Sequence, residues 1–480
     1  MGITNKIKIL FFIFPLFIYT QENSDDKSNL KVVDTLMHKV ERKQTLYSIS
    51  NIYKISIDDI KKYNPQIKGS KLSRRMFLNI PVIRKIKQEK KKFSKVNDSI
   101  DLLIPKLDFF NVNLIDSIIN KRLIKIALLA PFKLDQIELD SVENTKNYLK
   151  NLNLTTISLD FYSGAIMALG KGKENGINFE LEVIDTKNDY DSIVKILKNN
   201  KIEKYDFVLG PLIPRNINQV SGLSVKSKTP IVSPLSSKDI EINENVFQSM
   251  PSKKDQRERM FKYIDSLIID DPDPCVMIIY DDKNESVKDE LNKRFPYAEL
   301  INTDKNNGYV DPEITDSLLV STKKNFVFLE SENLNTITSV SSLLNSQISS
   351  ERNISMMTTF RSDVYENENI SFEHLGNLNF TYPSYYLPVY DDEKINLFNN
   401  LYLDDFGKRP NKIAIRGYDI TLDLILRVAF RKKLIKSIDL GETNYLQNKF
   451  NYFPFKKGFI NKSIYLIKHK KLNIIELNDD

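Results

Sequence analysis

Three carboxylate pairs, Asp281-Asp282, Asp391-Asp392 and Asp404-Asp405, are the residues most suggestive of chemistry, because two acids can divide general acid and base roles in glycoside cleavage or ligate calcium. Adjacent residues on a strand or helix point apart, so each pair reads instead as a loop or a cap. The chain has three histidines, His38, His374 and His469, and one cysteine, Cys275. That set supplies neither a Cys/His zinc cluster nor a disulfide framework, and no histidine sits in triad spacing. Cys275 opens an apolar run and reads as core. Gly170-Lys171-Gly172 followed by Gly176 imitates a phosphate loop, but its spacing is wrong and it follows a helical pattern, so it reads as a helix stop. The sequence therefore predicts no catalytic residue, no cofactor and no metal. Function has to come from surfaces that bind.

The residues best placed to bind stand just past apolar runs. Lys125–Pro131 has the continuous apolar character of a parallel strand buried on both faces. Strand patterns recur at Phe179–Asp185, Phe207–Gly210, Ile231–Ser233, Cys275–Tyr280, Phe326–Glu330 and Ile354–Thr359. Helical patterns come between them at Leu159–Lys173, Ile193–Leu197, Lys253–Ile268, Val287–Phe295 and Ile337–Leu344. Such alternation predicts an α/β fold of doubly wound parallel sheets, and its length exceeds what one core organises, so two lobes with a cleft are expected. In open α/β sheets ligands bind beyond the carboxyl ends of the strands, which places Phe132, Thr186, Pro211, Ser233, Ser236, Ser237 and Asp281 near the crevice. The aromatic run Tyr382–Tyr390 reads as a segment linking the lobes, with stacking on a sugar or a partner as the alternative.

Several short motifs in this body resemble the type 1 periplasmic-binding-protein fold of branched-chain amino acid receptors. They are Phe161-Tyr162-Ser163-Gly164-Ala165, Leu209-Gly210-Pro211, Pro230 to Ser237, Val246-Phe247-Gln248, Phe406 to Pro410, and Gly417-Tyr418-Asp419. The resemblance implies that Ser233, Ser236 and Ser237 would grip a ligand carboxylate and that Asp419 would lie near its amino group. Read from the residues alone, the serines form a turn and Asp419 caps a helix.

A smaller module precedes this body. Met37–Glu41 reads as a strand, and Thr45 as the N-cap of a helix with Leu46, Ile49, Ile52 and Tyr53 on one face. Ser56 with Asp59 starts a second helix, which Asn64-Pro65 stops, and Leu78-Asn79-Ile80-Pro81 closes with another strand. This βααβ order, with His38-Lys39-Val40 and Thr45 to Ile49, resembles the LysM domain, a binder of peptidoglycan and chitin. Lys43-Gln44 and Arg75-Met76 stand where that family usually has Gly-Asp and Gly-Gln. The resemblance implies a shallow glycan groove with Lys43, Gln44, Thr45 and Leu46 on one wall and Asn64, Pro65, Gln66 and Ile67 on the other. Amide and hydroxyl groups beside flat apolar surface suit a neutral chain containing N-acetylglucosamine.

Lys6 and Lys8 before the apolar run Ile9–Tyr19 predict a signal peptide over residues 1–20, too short to span a membrane. The expected organisation is then a LysM module at 36–83, a basic linker at 84–122 and the two-lobed body at 123–470. With Lys plus Arg at 70 against 63 acids, the charge excess is too small to argue for nucleic acid. The combination looks like exported LysM proteins of the Bacteroidetes type and is similar to outer-membrane activators of penicillin-binding proteins. The expectation is an exported, non-enzymatic envelope protein in the periplasm or cell envelope, tethered to peptidoglycan. Its body would bind an amino-acid-like ligand or a cell-wall synthase and so regulate wall synthesis. The alternatives are a solute receptor for a transporter and, third, a peptidoglycan hydrolase.

Overall fold

The computed structural model describes residues 30–40, most of 45–85, residue 114, and 122–477 apart from short gaps at 139, 200–201, 225–226, 239, 271–272, 304–307 and 389–391. The signal-peptide segment, Lys43, Gln44 and nearly all of the linker lie outside the described residues. The chain divides into an N-terminal unit and a body beginning near Leu103.

In the N-terminal unit, β1 (Leu30–Lys39) and β2 (Phe77–Lys85) form an antiparallel pair around two helices, α1 (Leu46–Tyr53) and α2 (Ile57–Lys62). Both strands outrun their sequence signals because they pair with each other over their whole length, from Leu30↔Lys85 to Lys39↔Phe77. Thr45 and Ser48 cap α1 reciprocally, the Ser48 N–H donating to Thr45 Oγ1 at 3.1 Å and the Thr45 N–H to Ser48 Oγ at 2.9 Å. Ser56 caps α2 by accepting from the Asp59 N–H at 3.0 Å. Val40, Leu46, Ile49, Ile60, Leu78 and Ile80 form the small core.

The first lobe of the body starts with β3 (Leu123–Ala130), α3 (Val142–Lys150), α4 (Leu154–Glu174), β4 (Asn178–Asp185), α5 (Tyr190–Asn199), β5 (Phe207–Leu209), α6 (Pro214–Ser224), β6 (Ile231–Ser233) and β7 (Val246–Gln248). The chain then builds the second lobe from α7 (Lys253–Asp270), β8 (Cys275–Tyr280), α8 (Glu285–Arg294), β9 (Glu299–Asn302), α9 (Pro312–Leu318), β10 (Asn325–Glu330), α10 (Leu334–Ser346), β11 (Ile354–Met357), α11 (Phe372–Asn377) and β12 (Thr381–Ser384). It returns to the first lobe with α12 (Glu393–Phe406) and α13 (Lys412–Arg431), and a short hairpin of β13 (Thr443–Asn444) and β14 (Lys449–Phe450) follows. β15 (Tyr452–Phe455) and β16 (Gly458–Asn461) finish the first sheet, and β17 (Tyr465–Lys470) and β18 (Asn473–Glu476) finish the second.

Each sheet has seven strands, ordered β15-β16-β7-β6-β5-β3-β4 and β18-β17-β12-β11-β10-β8-β9. Both are parallel except at one edge, where β15, and in the other sheet β17 and β18, run antiparallel to their neighbours. The expected pair of doubly wound parallel sheets is therefore present, with the chain crossing between lobes after β7, after β12 and after β16.

Three local expectations are corrected. Gly170 and Gly172 do not stop α4, which continues to Glu174, with Gly176 at φ +82° just beyond. Gly172 is instead a packing position, since a Cβ there would stand 2.5 Å from Ile425 Cδ1 of α13. Cys275 is half-buried rather than core; its thiol donates to the Leu318 carbonyl and burial pushes its pKa up. Leu114, assigned by the sequence to the connector, is buried in the core of the first lobe.

Candidate functional site

The cleft between the lobes holds a cavity of about 370 Å³, within the range of small-molecule sites. Its first-lobe wall is mainly apolar, including Pro131, Leu154, Ile157, Leu212, Leu235 and Met250. Tyr385 and Tyr386, on the crossing after β12, face them together with Asp363. The aromatic run thus links the lobes and lines the cleft at once. Lys412, Ile413 and Arg416 of α13 complete the lining, with Gln447 and Asn448 from the segment between β13 and β14.

The polar groups here are arranged by α13. Lys412 bridges the lobes, its Nζ donating to Asp363 at 2.8 Å and to Glu366 at 3.1 Å. One turn on, Arg416 is 3% exposed. Its guanidinium donates to the carbonyls of Pro234 (3.1 Å) and Ser249 (2.9 Å), to Ser249 Oγ (2.8 Å) and to Asn448 Oδ1 (2.7 Å). All four acceptors are neutral, and burial pushes the Arg416 pKa down. Further along, Asp423 and Arg427 form a fully buried ion pair at 2.8 Å, and Arg427 also donates to the carbonyls of Ser437 and Phe450. Nothing in the sequence reading singled out these arginines. The available signal was an acid and a base four residues apart inside the apolar run Ile420–Ala429.

Of the residues expected at the crevice, the structure brings Ser236 alone to the cavity lining. Phe132 is buried edge-on against Tyr162 at 6.0 Å, and Pro211 follows a cis peptide bond at the end of β5. Thr186 and Ser233 are fully buried at strand ends, their hydroxyls without a hydrogen-bond partner among the described residues. Ser237 is half-buried beside Ser236. Asp281 ties a second-lobe loop together, accepting from the Lys283 N–H, Asn284 Nδ2 and Ser331 Oγ. Asp419 is fully buried, and its carboxylate accepts the backbone N–H groups of Leu446, Gln447 and Asn448 at 2.9–3.0 Å and Asn448 Nδ2 at 2.8 Å. It clamps the segment that carries Gln447 and Asn448 into the lining. Burial raises its pKa to about 6.

In the N-terminal unit, Thr45, Pro65 and Gln66 are exposed and Ile67 is half-buried against the core. Leu46 belongs to that core. Asn64 is fully buried; its amide donates to the carbonyls of Ile60 and Asn79, and its Oδ1 accepts from the Asn79 N–H at 2.6 Å. Tyr47, 68% exposed on α1, is a flat apolar surface that the sequence reading did not assign.

The LysM family profile matches residues 38–81. Residues 38–81 are a LysM domain. The LysM helices and strands described above fill that match from His38 to Pro81. No curated protein matches the chain. Among solved structures, the body is similar to a putative branched-chain amino acid ABC transporter protein from Rhodospirillum rubrum, with a TM-score of 0.51 and 12% identity over 74% of this chain and 99% of that one. It is also similar to an ABC-type branched-chain amino acid transporter protein from Rhodopseudomonas palustris (TM-score 0.47, 12% identity, 74% and 96% covered). A third is an ABC transporter substrate-binding protein from Desulfitobacterium hafniense solved in complex with Leu (0.42, 15%, 74% and 100%). The first of these likenesses, together with the two parallel sheets and three crossings, gives the body the type 1 periplasmic-binding-protein fold. Among the described residues no helix is long and apolar enough to cross a membrane.

Proposed function

We propose that this is an exported, non-enzymatic envelope protein that the LysM domain holds to peptidoglycan while the two-lobed body binds a small ligand in its cleft. The LysM match over residues 38–81 carries the tether half of this reading. Thr45, Pro65 and Gln66 offer hydroxyl, flat apolar and amide surface for an N-acetylglucosamine-containing chain, beside the Tyr47 ring. Lys43 and Gln44 complete the groove in this proposal.

The cavity between the lobes supports the ligand half. A ligand touching both walls favours the closed arrangement, so occupancy of the cleft shifts an open-closed equilibrium. That shift is a signal a cell-wall synthase could read. A second reading, a solute receptor feeding a transporter, draws on the same cavity and fold, and differs in having no use for a wall tether.

Retention on purified peptidoglycan sacculi tests the tether. The full chain is expected to sediment with sacculi, a chain beginning at Leu123 is expected to stay in solution, and no soluble fragments should be released. Equal sedimentation of both, or neither, removes the tether, and released muropeptides would make the protein a hydrolase.

A further inference from the structure

Which ligand the cleft takes follows from its charges, an inference resting on the reading of the body as a small-ligand cleft. Among the described residues, three cationic side chains, Lys238, Lys412 and Arg416, line the cavity against one carboxylate, Asp363. Asp363 is already engaged by Lys412 at 2.8 Å. Among the described residues Arg416 has no carboxylate within ion-pair distance, and a guanidinium has five N–H donors, of which four are committed to neutral acceptors. The two acids further along its helix are both committed, Asp419 to the segment 446–448 and Asp423 to Arg427. Lys238, at the exposed edge of the lining, has no ion-pair partner among the described residues.

Burying a cation without a counter-ion is costly, and an anion entering the cavity would relieve that cost. An ammonium group would find the opposite. The one described lining carboxylate is spent on Lys412, and Asp419 is outside the lining, with both oxygens hydrogen-bonded to the segment 446–448. The first residues of α4, α6 and α13 also line the cavity, so three helix N-termini add positive potential there.

We propose that the cleft takes an apolar carboxylic acid without an ammonium group. Its carboxylate lies against Arg416 and Lys238, and its hydrocarbon part lies among Leu154, Ile157, Met250 and Tyr385.

Titration calorimetry on the full chain near neutral pH tests this with 3-phenylpropanoate and 4-methylpentanoate, their 2-amino counterparts phenylalanine and leucine, and the neutral 3-phenylpropanamide. The acids are expected to bind, with each amino acid and the amide weaker by about thirtyfold or more, the size of effect that follows from a buried charge left unpaired. Lys238→Gln, at the exposed edge, should weaken the acids by about two- to fivefold. Arg416→Gln should abolish their binding, and the Lys238 variant keeps the test open if that protein fails to fold. Amino acids binding as tightly as the acids would overturn the inference and leave the small-ligand reading standing. An amide equal to its acid would overturn the role of the anion. If no compound bound at millimolar concentration, the inference and the small-ligand half of the function would fall together, while sacculus retention would still report on the tether separately.

Discussion

Gly164 of α4 sits against the backbone of Ala414 of α13, so close that a Cβ in its place would stand 1.8 Å from the Ala414 carbonyl oxygen. The relation is reciprocal: a Cβ on Gly417 would stand 2.3 Å from the Phe161 carbonyl oxygen. These glycines let the two long helices of the first lobe touch backbone to backbone, and that contact sets where Arg416 and Lys412 meet the cleft. Gly164→Ala and Gly417→Ala each force the helices apart. Each is expected to lower stability by about 1–3 kcal/mol or more, read as a fall in the thermal midpoint of the body. A midpoint unchanged by both would show that the helices do not cross this closely.

Asp419 is the second test of α13. Asparagine keeps one acceptor oxygen but presents an amide to at least the Leu446 N–H at Oδ1, or else to the Gln447 and Asn448 N–H groups and Asn448 Nδ2 at Oδ2. Asp419→Asn should cost about 1.5–3 kcal/mol, the scale of hydrogen bonds to a charged group. Hydrogen exchange should quicken at Leu446–Asn448 before it does elsewhere; unaltered exchange there would dismiss the clamp.

Buried titratable groups shape the pH dependence of the body, Glu330 first among them as pH falls through neutrality. Glu330, at the end of β10, accepts from the Thr359 N–H at 2.6 Å and Thr359 Oγ1 at 2.8 Å, and burial pushes its pKa up to about 7. A carboxyl whose pKa is raised by folding takes up its proton in the folded state first, so its contribution to stability is full at low pH and is lost as pH rises through about 7. The thermal midpoint should therefore climb as pH falls from 8 to about 6.5, and Glu330→Gln should flatten that climb. Asp419, raised to about 6, continues the trend below. His469 opposes it: burial lowers its pKa to about 4, so stability drains as the unfolded-state imidazole protonates below about 6.5.

In the LysM domain, the buried Asn64 and the exposed Gln66 separate fold from binding surface. Asn64→Ala takes the partner from the buried Ile60 carbonyl, at about 1–3 kcal/mol, and from the part-buried Asn79 N–H and carbonyl at less, since water can reach them. A module with so small a core should then unfold, and sacculus retention should vanish with its circular dichroism signal. Gln66→Ala should keep the fold and weaken retention alone. If Asn64→Ala left both intact, the amide would not be holding α2 to β2.

The strands whose limits were most legible in the sequence are those buried on both faces, although the edge strand β4 was also read from Phe179–Asp185. Ile231–Ser233 and Cys275–Tyr280 are apolar runs bounded by turn residues, and their sequence limits coincide with β6 and β8. The residues past their ends were legible as well, because parallel-sheet topology puts them there. The lining was less so: Ser236 reached the cavity, whereas Asp419 turned inward to a segment 27 residues away. Arg416 and Arg427 carry the polar architecture of α13, yet a charged residue on a helix reads as solvated until something is known to cover it. Here the cover is α4 and the segment 434–450, which no local pattern announces. The short strands β13 to β18 were also missed, since β16 and β17 are placed by the distant edges β7 and β12, and β15 and β18 by pairing with them in turn.

The order of those last strands governs how the molecule can be made. β16 pairs with β7 and β17 with β12, so neither sheet is complete until the final few dozen residues are present. Until then β7 and β12 are open edges with unpaired backbone groups, the kind of surface that recruits other chains. Contacts this distant in sequence form slowly, after a large loop has closed. The body cannot be assembled one lobe at a time: β16 and β17 must both be synthesised before either half becomes safe from aggregation, and loss of only β17 and β18 would leave β12 exposed in an otherwise finished body.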